Sequence, residues 1–214
     1  MTATLDHAVS VLVERWQRRL LPADALDDWR IHPATLVAFL DVLGVAPGRV
    51  LDVGAGRHLT LSRALRDAGF SVVTVDVQPP EGHHQGLGPV VAGAAALPFP
   101  DGAFPLVVSR LFLGAPVSQA ARRDVALGRA SSHEERAREL EHGILVELAR
   151  VAAPGAWQVH HVLERVLFSD PRDAGLEVHW PIRPHVPTAP PPWRDHPAEA
   201  LRYHLSGVLL LRKP

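Results

Sequence analysis

The chain contains no cysteine, one methionine and one tyrosine in 214 residues. Without cysteine there are no disulfides, no thiolate nucleophile and no thiolate-held zinc. No apolar run approaches the ~20 residues that cross a bilayer, and no N-terminal stretch joins a charged region to an apolar one as a secretory leader does. Neither sign of charge dominates. The 22 basic residues stand against 23 acidic ones, a net charge of -1, so no broad field attracts nucleic acid or an anionic membrane surface. These absences leave a cytoplasmic protein acting on a small molecule, with no nucleic-acid or membrane partner expected and its oligomeric state open. The 13 histidines form no HExxH pattern, and no metal site is expected. A hydrophobic content of 47% in this length suits one α/β domain with a sizeable core.

What is present is organised around the stretch from Arg49 to Asp76. Val50, Leu51 and Val53 form a short buried strand, and the β-branched run Val72–Val75 forms another. Between them Leu61, Leu65 and Ala68 recur at helical spacing, so the three pieces make a β-α-β unit with parallel strands. Asp52, Gly54, Ala55 and Gly56 then lie at the carboxyl end of the first strand, where open α/β sheets bind ligands. The glycines permit a tight turn and close approach of a ligand to the backbone. Asp76, about 20 residues further on, is placed to accept hydrogen bonds from a ribose diol. A nucleoside-containing ligand is expected, although Arg57, His58 and Leu59 follow where a dinucleotide fingerprint has its third glycine.

Four motifs in order, LDVGAG, VVTVD, ALPFPDGAFPLVVSR (96–110) and ELARVAAPGA (147–156), resemble the class I S-adenosylmethionine-dependent methyltransferase family, in particular its small-molecule branch. The resemblance implies a Rossmann-like fold, a mostly parallel seven-stranded sheet with helices on both faces. It also implies S-adenosylmethionine bound along Asp52–Gly56, Asp76, Val77 and Gln78, and Gly93, Ala94 and Ala95, with Ser109 facing the cofactor methyl. The sequence departs from the family pattern at His58, at Gly93, where the family has an acid for the adenine amine, and at Pro105, where it has aspartate. A nicotinamide-dependent oxidoreductase shares the β-α-β start but would want the third glycine. The three departures also admit a fold of this type that no longer methylates, serving as a ligand-binding protein, cyclase or isomerase.

The remaining segments read as one domain over 1–214, with cap helices in 1–45, a cofactor-binding core in 46–163, a proline-rich lid or loop in 164–200 and a final strand in 201–214. Val9, Leu12, Val13, Trp16 and Leu20 share one face of a helix over Leu5–Leu21 that Pro22 stops. A second helix runs from Pro33 to Leu43, with proline in its first turn and Gly44 beyond its end. Val90 and Val91 make a third strand, Phe104–Ser109 a fourth, and Trp157–Leu163 a fifth. The segment 111–131 is long enough for a substrate-facing insertion, and Ser132 caps a helix that continues to Pro154-Gly155. Arg110, at a strand exit, either grips an acidic substrate group bidentately or is merely solvated. His160 and His161 point to opposite faces, so one of them at most serves as general base, the other reading being a hydrogen-bonded core histidine. Trp180 or Trp193 is expected to close over the substrate, and Tyr203–Arg212 to form the last strand.

Overall fold

The computed structural model describes residues 4–162, 166–182 and 191–214. Helices α1 (Leu5–Gln17) and α2 (Pro33–Val42) precede β1 (Arg49–Val53), α3 (Thr60–Asp67), β2 (Ser71–Asp76) and β3 (Leu87–Val91). Then come β4 (Phe104–Arg110), α4 (Ala115–Ala126), α5 (His133–Val151) and β5 (Ala152–His161), followed by β6 (Glu177–Trp180), α6 (Pro197–Ser206) and β7 (Val208–Arg212). The strands form a 7-stranded sheet in the order β3-β2-β1-β4-β5-β7-β6. β1 to β5 pair in parallel, and β7 runs antiparallel to both β5 and β6.

Alternation along the strands assigns each residue to one of two cores. Val50, Val72, Leu106, Val108, Val159 and Leu210 face α1, α2, α3 and α6, where Leu12, Phe39, Leu65 and Leu201 cover them. Leu51, Val53, Val107, Leu209 and Leu211 face the opposite way, onto Val117 of α4 and Ile144, Leu145 and Leu148 of α5. Strands covered on both faces have no polar side to show, which is why they read as continuous apolar runs.

Several sequence expectations are corrected. The first helix ends at Gln17, with Arg19 at φ 57, so Pro22 does not stop it, and Leu20 is 67% exposed rather than on the packed face. Helix α5 ends at Val151, and Pro154 and Gly155 already belong to β5. Pro105 falls where the β4–β5 register jumps from Phe104↔Ala152 to Leu106↔Trp157, and pairing with β1 starts only at Leu106. Neither ladder needs an N–H from it. The segment 111–131 is mostly α4, which lies beside α5. Tyr203–Ser206 is the last turn of α6, and the final strand starts at Val208. Trp180 and Trp193 are core residues: the first packs on Phe39 with centroids 5.3 Å apart, and the second on Trp29 at 4.9 Å. Leu163, expected to end the fifth strand, and residues 164–165 and 183–190 of the expected lid lie outside the described residues.

Two of the motifs that carry the family resemblance interlock. From α5, Arg150 donates to Phe99 O (2.8 Å), Leu97 O (2.9 Å) and Asp101 (2.7 Å), while Glu147 accepts from Leu97 N (2.8 Å) and from Arg150 Nε (2.9 Å). The fork of the guanidinium spans carbonyls that lysine's single ammonium cannot reach together. Arg150→Met is therefore expected to lower unfolding free energy by about 2–3 kcal/mol, with Arg150→Lys recovering little, as read from urea denaturation.

A second α5 side chain, the fully buried Glu141, accepts from the backbone N–H of Gly114 (3.1 Å), Ser169 (2.9 Å) and Phe168. It ties the turn after β4 to the segment after β5. Gly114, at φ 78, is needed there because a Cβ would stand 2.6 Å from Val166 O.

Candidate active site at the ends of β1, β2 and β4

Parallel neighbours end at one edge of the sheet, and the glycine turn follows β1 there. Gly54 and Gly56 have φ +68 and +69, in the left-handed region that side chains avoid. Gly54 N and Ala55 N both donate to Val75 O, at 2.8 and 3.2 Å. Gly56 N donates to Asp76 Oδ2 (2.9 Å), and Gln78 N to Asp76 Oδ1 (3.0 Å). The end of β2 thus clamps the turn after β1. Each carboxylate oxygen of Asp76 still has a lone pair for another donor.

A crevice of about 710 Å³ opens beside this turn. Its walls are the glycine turn, the N-terminal end of α3, the Arg30–Ala34 stretch ahead of and into α2, and Arg110. Leu59 caps α3 in the left-handed conformation with no side-chain cap, so the positive end of the helix adjoins this space. A Cβ at Gly56 would meet nothing within 4 Å, whereas at Gly54 it would stand 2.3 Å from the ring of Phe112.

Asp52 lies beneath the turn and is 1% exposed. Oδ2 accepts from Ser62 Oγ at 2.5 Å, and Oδ1 has no partner among the described residues. Burial pushes its pKa up to about 7, helped by the nearby Asp76 and opposed by Ser62 and Arg110. The folded protein therefore keeps a proton that the unfolded chain has released. This contribution to stability is complete below about pH 4 and is lost as pH rises to about 7, on the order of 4 kcal/mol at most. Asp52→Asn, which cannot ionise, is expected to gain stability over the parent between pH 5 and pH 8. Parallel stability curves in urea at the two pH values would show that the carboxyl is not held protonated.

Arg110 leaves β4 half-buried, its Nε donating to Ile31 O (2.7 Å) and its Nη1 lying 3.4 Å from Thr60 Oγ1. Burial is the main cause pulling its pKa down, with Arg30 adding repulsion. Ser109 and His160 do not reach the crevice. Both are fully buried, with Ser109 Oγ 2.9 Å from His160 Nδ1 and His160 Nε2 3.2 Å from Gln158 Oε1. Since the amide oxygen can only accept, Nε2 donates to it and Nδ1 accepts from the serine. Burial lowers the pKa of His160 to about 3. With both nitrogens engaged and little basicity, it takes the place of a core histidine rather than of a general base. His161 is 1% exposed on the opposite face, its Nε2 3.4 Å from where a Cβ on Gly207 would lie, and it does not line the crevice either.

Val77 and Gln78 are exposed beyond Asp76, Val77 at 69%. Gly93, Ala94 and Ala95 follow β3, next to Asp76, whose carbonyl accepts from Ala92 N at 3.0 Å. A Cβ at Gly93 would face open space. The N-terminal segment reaches the crevice through Arg30, His32, Pro33 and Ala34 and not through its tryptophans: Trp16 packs on the core, and Trp29 meets Trp193 and Tyr203 edge to face. His32 Nδ1 accepts from Ala34 N (3.2 Å), a cap that Pro33 after it signals. Ser62, Arg30, Arg63 and Phe112 were not anticipated. Ser62 lay within reach of inference, being one residue after Leu61 on the helix that follows the turn; the others give no pattern of their own.

No protein-family model matches the chain, and no curated protein matches it. Solved structures do. A protein from Haloferax volcanii described as a methyltransferase, in complex with the Trm112 methyltransferase activator, aligns over 99% of this chain and 97% of its own at 20% identity, with a TM-score of 0.52. A TehB-like SAM-dependent methyltransferase from Corynebacterium glutamicum aligns over 96% and 97% at 16% identity, with a TM-score of 0.51. A SAM-dependent methyltransferase from Methanosarcina mazei matches only in part, over 54% of this chain and 52% of its own, at 20% identity and a TM-score of 0.38. The full-length alignments establish the fold: it is the Rossmann-like fold of the class I methyltransferases.

Proposed function

We infer that this chain transfers a methyl group from S-adenosylmethionine to a small-molecule acceptor. The observation that carries this reading is Asp76, a carboxylate at the end of β2 that clamps the glycine turn through Gly56 N and Gln78 N and still has acceptor capacity for a diol. The residues fit the cofactor in other respects. Asp52 Oδ1 is buried beneath the turn without a partner among the described residues, as an oxygen awaiting a cationic donor would be, and the space over Gly56 is clear for a ligand. Asp52, Gly54, Ala55 and Gly56 would hold the methionine end, Asp76 the ribose with Val77 and Gln78 beside it, and Gly93–Ala95 the adenine through backbone groups.

When bound, the cofactor supplies an electrophilic methyl: an acceptor lone pair forms the new bond to carbon while the carbon–sulfur bond breaks and sulfur keeps its electron pair. The chain's part is to position the reactants and exclude water, which suffices for much of the acceleration of an in-line displacement. Ser109 acts behind the wall, fixing the exit of β4 through His160. Arg110 ties that exit to Ile31 and so holds the cap segment against the crevice.

The nicotinamide alternative fits less well. A dinucleotide fold continues its parallel order as 3-2-1-4-5-6, whereas here an antiparallel β7 separates β5 from β6. Calorimetric titration with S-adenosylmethionine, S-adenosylhomocysteine and NADH tests the reading. Micromolar binding of the first two without the third supports it. A folded protein that binds neither adenosyl compound removes it and leaves a fold of this type put to another use.

A further inference from the structure

The crevice beside the glycine turn is ringed by arginine. Arg30, Arg57, Arg63 and Arg110 line it, and Asp67 is the one acid among the described residues that line it. Two of the four are neutralised locally, Arg30 by Asp28 (2.8 Å) and Arg57 by Glu81. Asp67 is itself taken by Arg66 at 2.7 Å. Arg63 and Arg110 form no ion pair among the described residues. Arg110 hydrogen-bonds a carbonyl and a hydroxyl, both neutral, although it is half-buried. Asp28 and Asp52 act on Arg110 only through space, so this guanidinium has lost part of its hydration without a direct ion pair among the described residues, and the positive end of α3 adjoins it.

The cofactor adds to this charge. S-adenosylmethionine brings a sulfonium and an ammonium against one carboxylate, a net positive ligand entering a positive crevice. Its own carboxylate offsets one cation at most. Asp52 and Asp76, on which the cofactor would rest, answer its own cations, which leaves Arg63 and Arg110 without an ion pair; an anionic acceptor would meet them while gaining the bidentate geometry that guanidinium offers to carboxylates.

We propose that the acceptor bears a carboxylate, and that Arg110, with Arg63 lining the same crevice, grips this group and orients the nucleophile toward the methyl. The proposal rests on the methyl-transfer reading above. The test uses the full chain with S-adenosylmethionine and a panel of small hydroxy and amino carboxylic acids, each matched with its primary amide, scored by S-adenosylhomocysteine formed.

Turnover is expected for acids and at least about tenfold weaker for the matching amides. Arg110→Gln should raise KM for the best acid by about tenfold or more, and Arg63→Gln by a smaller factor, with affinity for S-adenosylhomocysteine within about twofold of the parent in Arg63→Gln. Arg63 is exposed on α3, so its replacement leaves the fold intact even if Arg110→Gln loosens the cap segment. Amides used as well as acids, or no acid used by a protein that binds S-adenosylhomocysteine, would overturn the proposal. So would loss of S-adenosylhomocysteine affinity in Arg63→Gln and Arg110→Gln, which would assign both cations to the cofactor's own carboxylate. A parent protein that does not bind S-adenosylhomocysteine fails earlier, on the cofactor itself, and the two failures are thereby told apart.

Discussion

Gly54→Val is expected to abolish measurable binding of S-adenosylhomocysteine and to lower the melting temperature. Two effects add. The residue sits at φ +68, where a side chain costs about 1–2 kcal/mol and a β-branched one more. The first side-chain carbon would also stand 2.3 Å from Phe112, whose ring must then move. Gly56 supplies the control, because its φ of +69 is nearly the same while nothing lies within 4 Å of its Cβ position. Gly56→Ala should therefore show the backbone cost in melting temperature alone, and Gly54→Ala that cost plus the clash. Pairing Gly54→Ala with Phe112→Ala should bring the melting temperature of the first back toward that of Gly56→Ala. If the two alanine variants melt alike, Phe112 does not constrain the turn.

Asp76→Ala should weaken binding of S-adenosylhomocysteine by about a hundredfold or more. A hydrogen bond to a charged group contributes about 1.5–3 kcal/mol, and the variant loses those to the ribose together with the two that hold the turn. Asp76→Asn should fall between the two, since its amide has one oxygen to accept with and an NH₂ that opposes the second backbone donor. Calorimetry on the three proteins orders them. Unchanged affinity in Asp76→Ala would detach the carboxylate from the ligand and leave it a purely structural clamp.

The β-α-β unit was legible because its signals are local: two β-branched runs, a helical spacing between them, and glycines at the joint. The same locality gave α2, with Pro33 at its start and Gly44 beyond its end. Expectations failed where short-range pattern is ambiguous. Tyr203–Arg212 is mainly apolar, and Gly207 within it reads equally as a helix end or as a glycine inside a strand, while Glu177–Trp180 is too short and too mixed to declare itself among prolines. The polar wall of the crevice was unreadable for another reason. Arg110 meets Ile31 across 79 positions, and no spacing rule connects them. The adjacent His160 and His161 looked chemical because two polar residues in a central strand are costly, yet for His160 the cost is met inside the sheet by Ser109 and Gln158.

Glu141 bears on any attempt to change this protein by exchanging its loops. The turn after β4 and the segment after β5 are far apart in the chain, but both hang from one carboxylate in the middle of α5. A graft of 111–131 from another member of the fold would bring its own Gly114 equivalent and still depend on a residue outside the graft. Recombination between such sequences should therefore succeed when position 141 travels with the turn, and yield poorly ordered chimaeras when it does not.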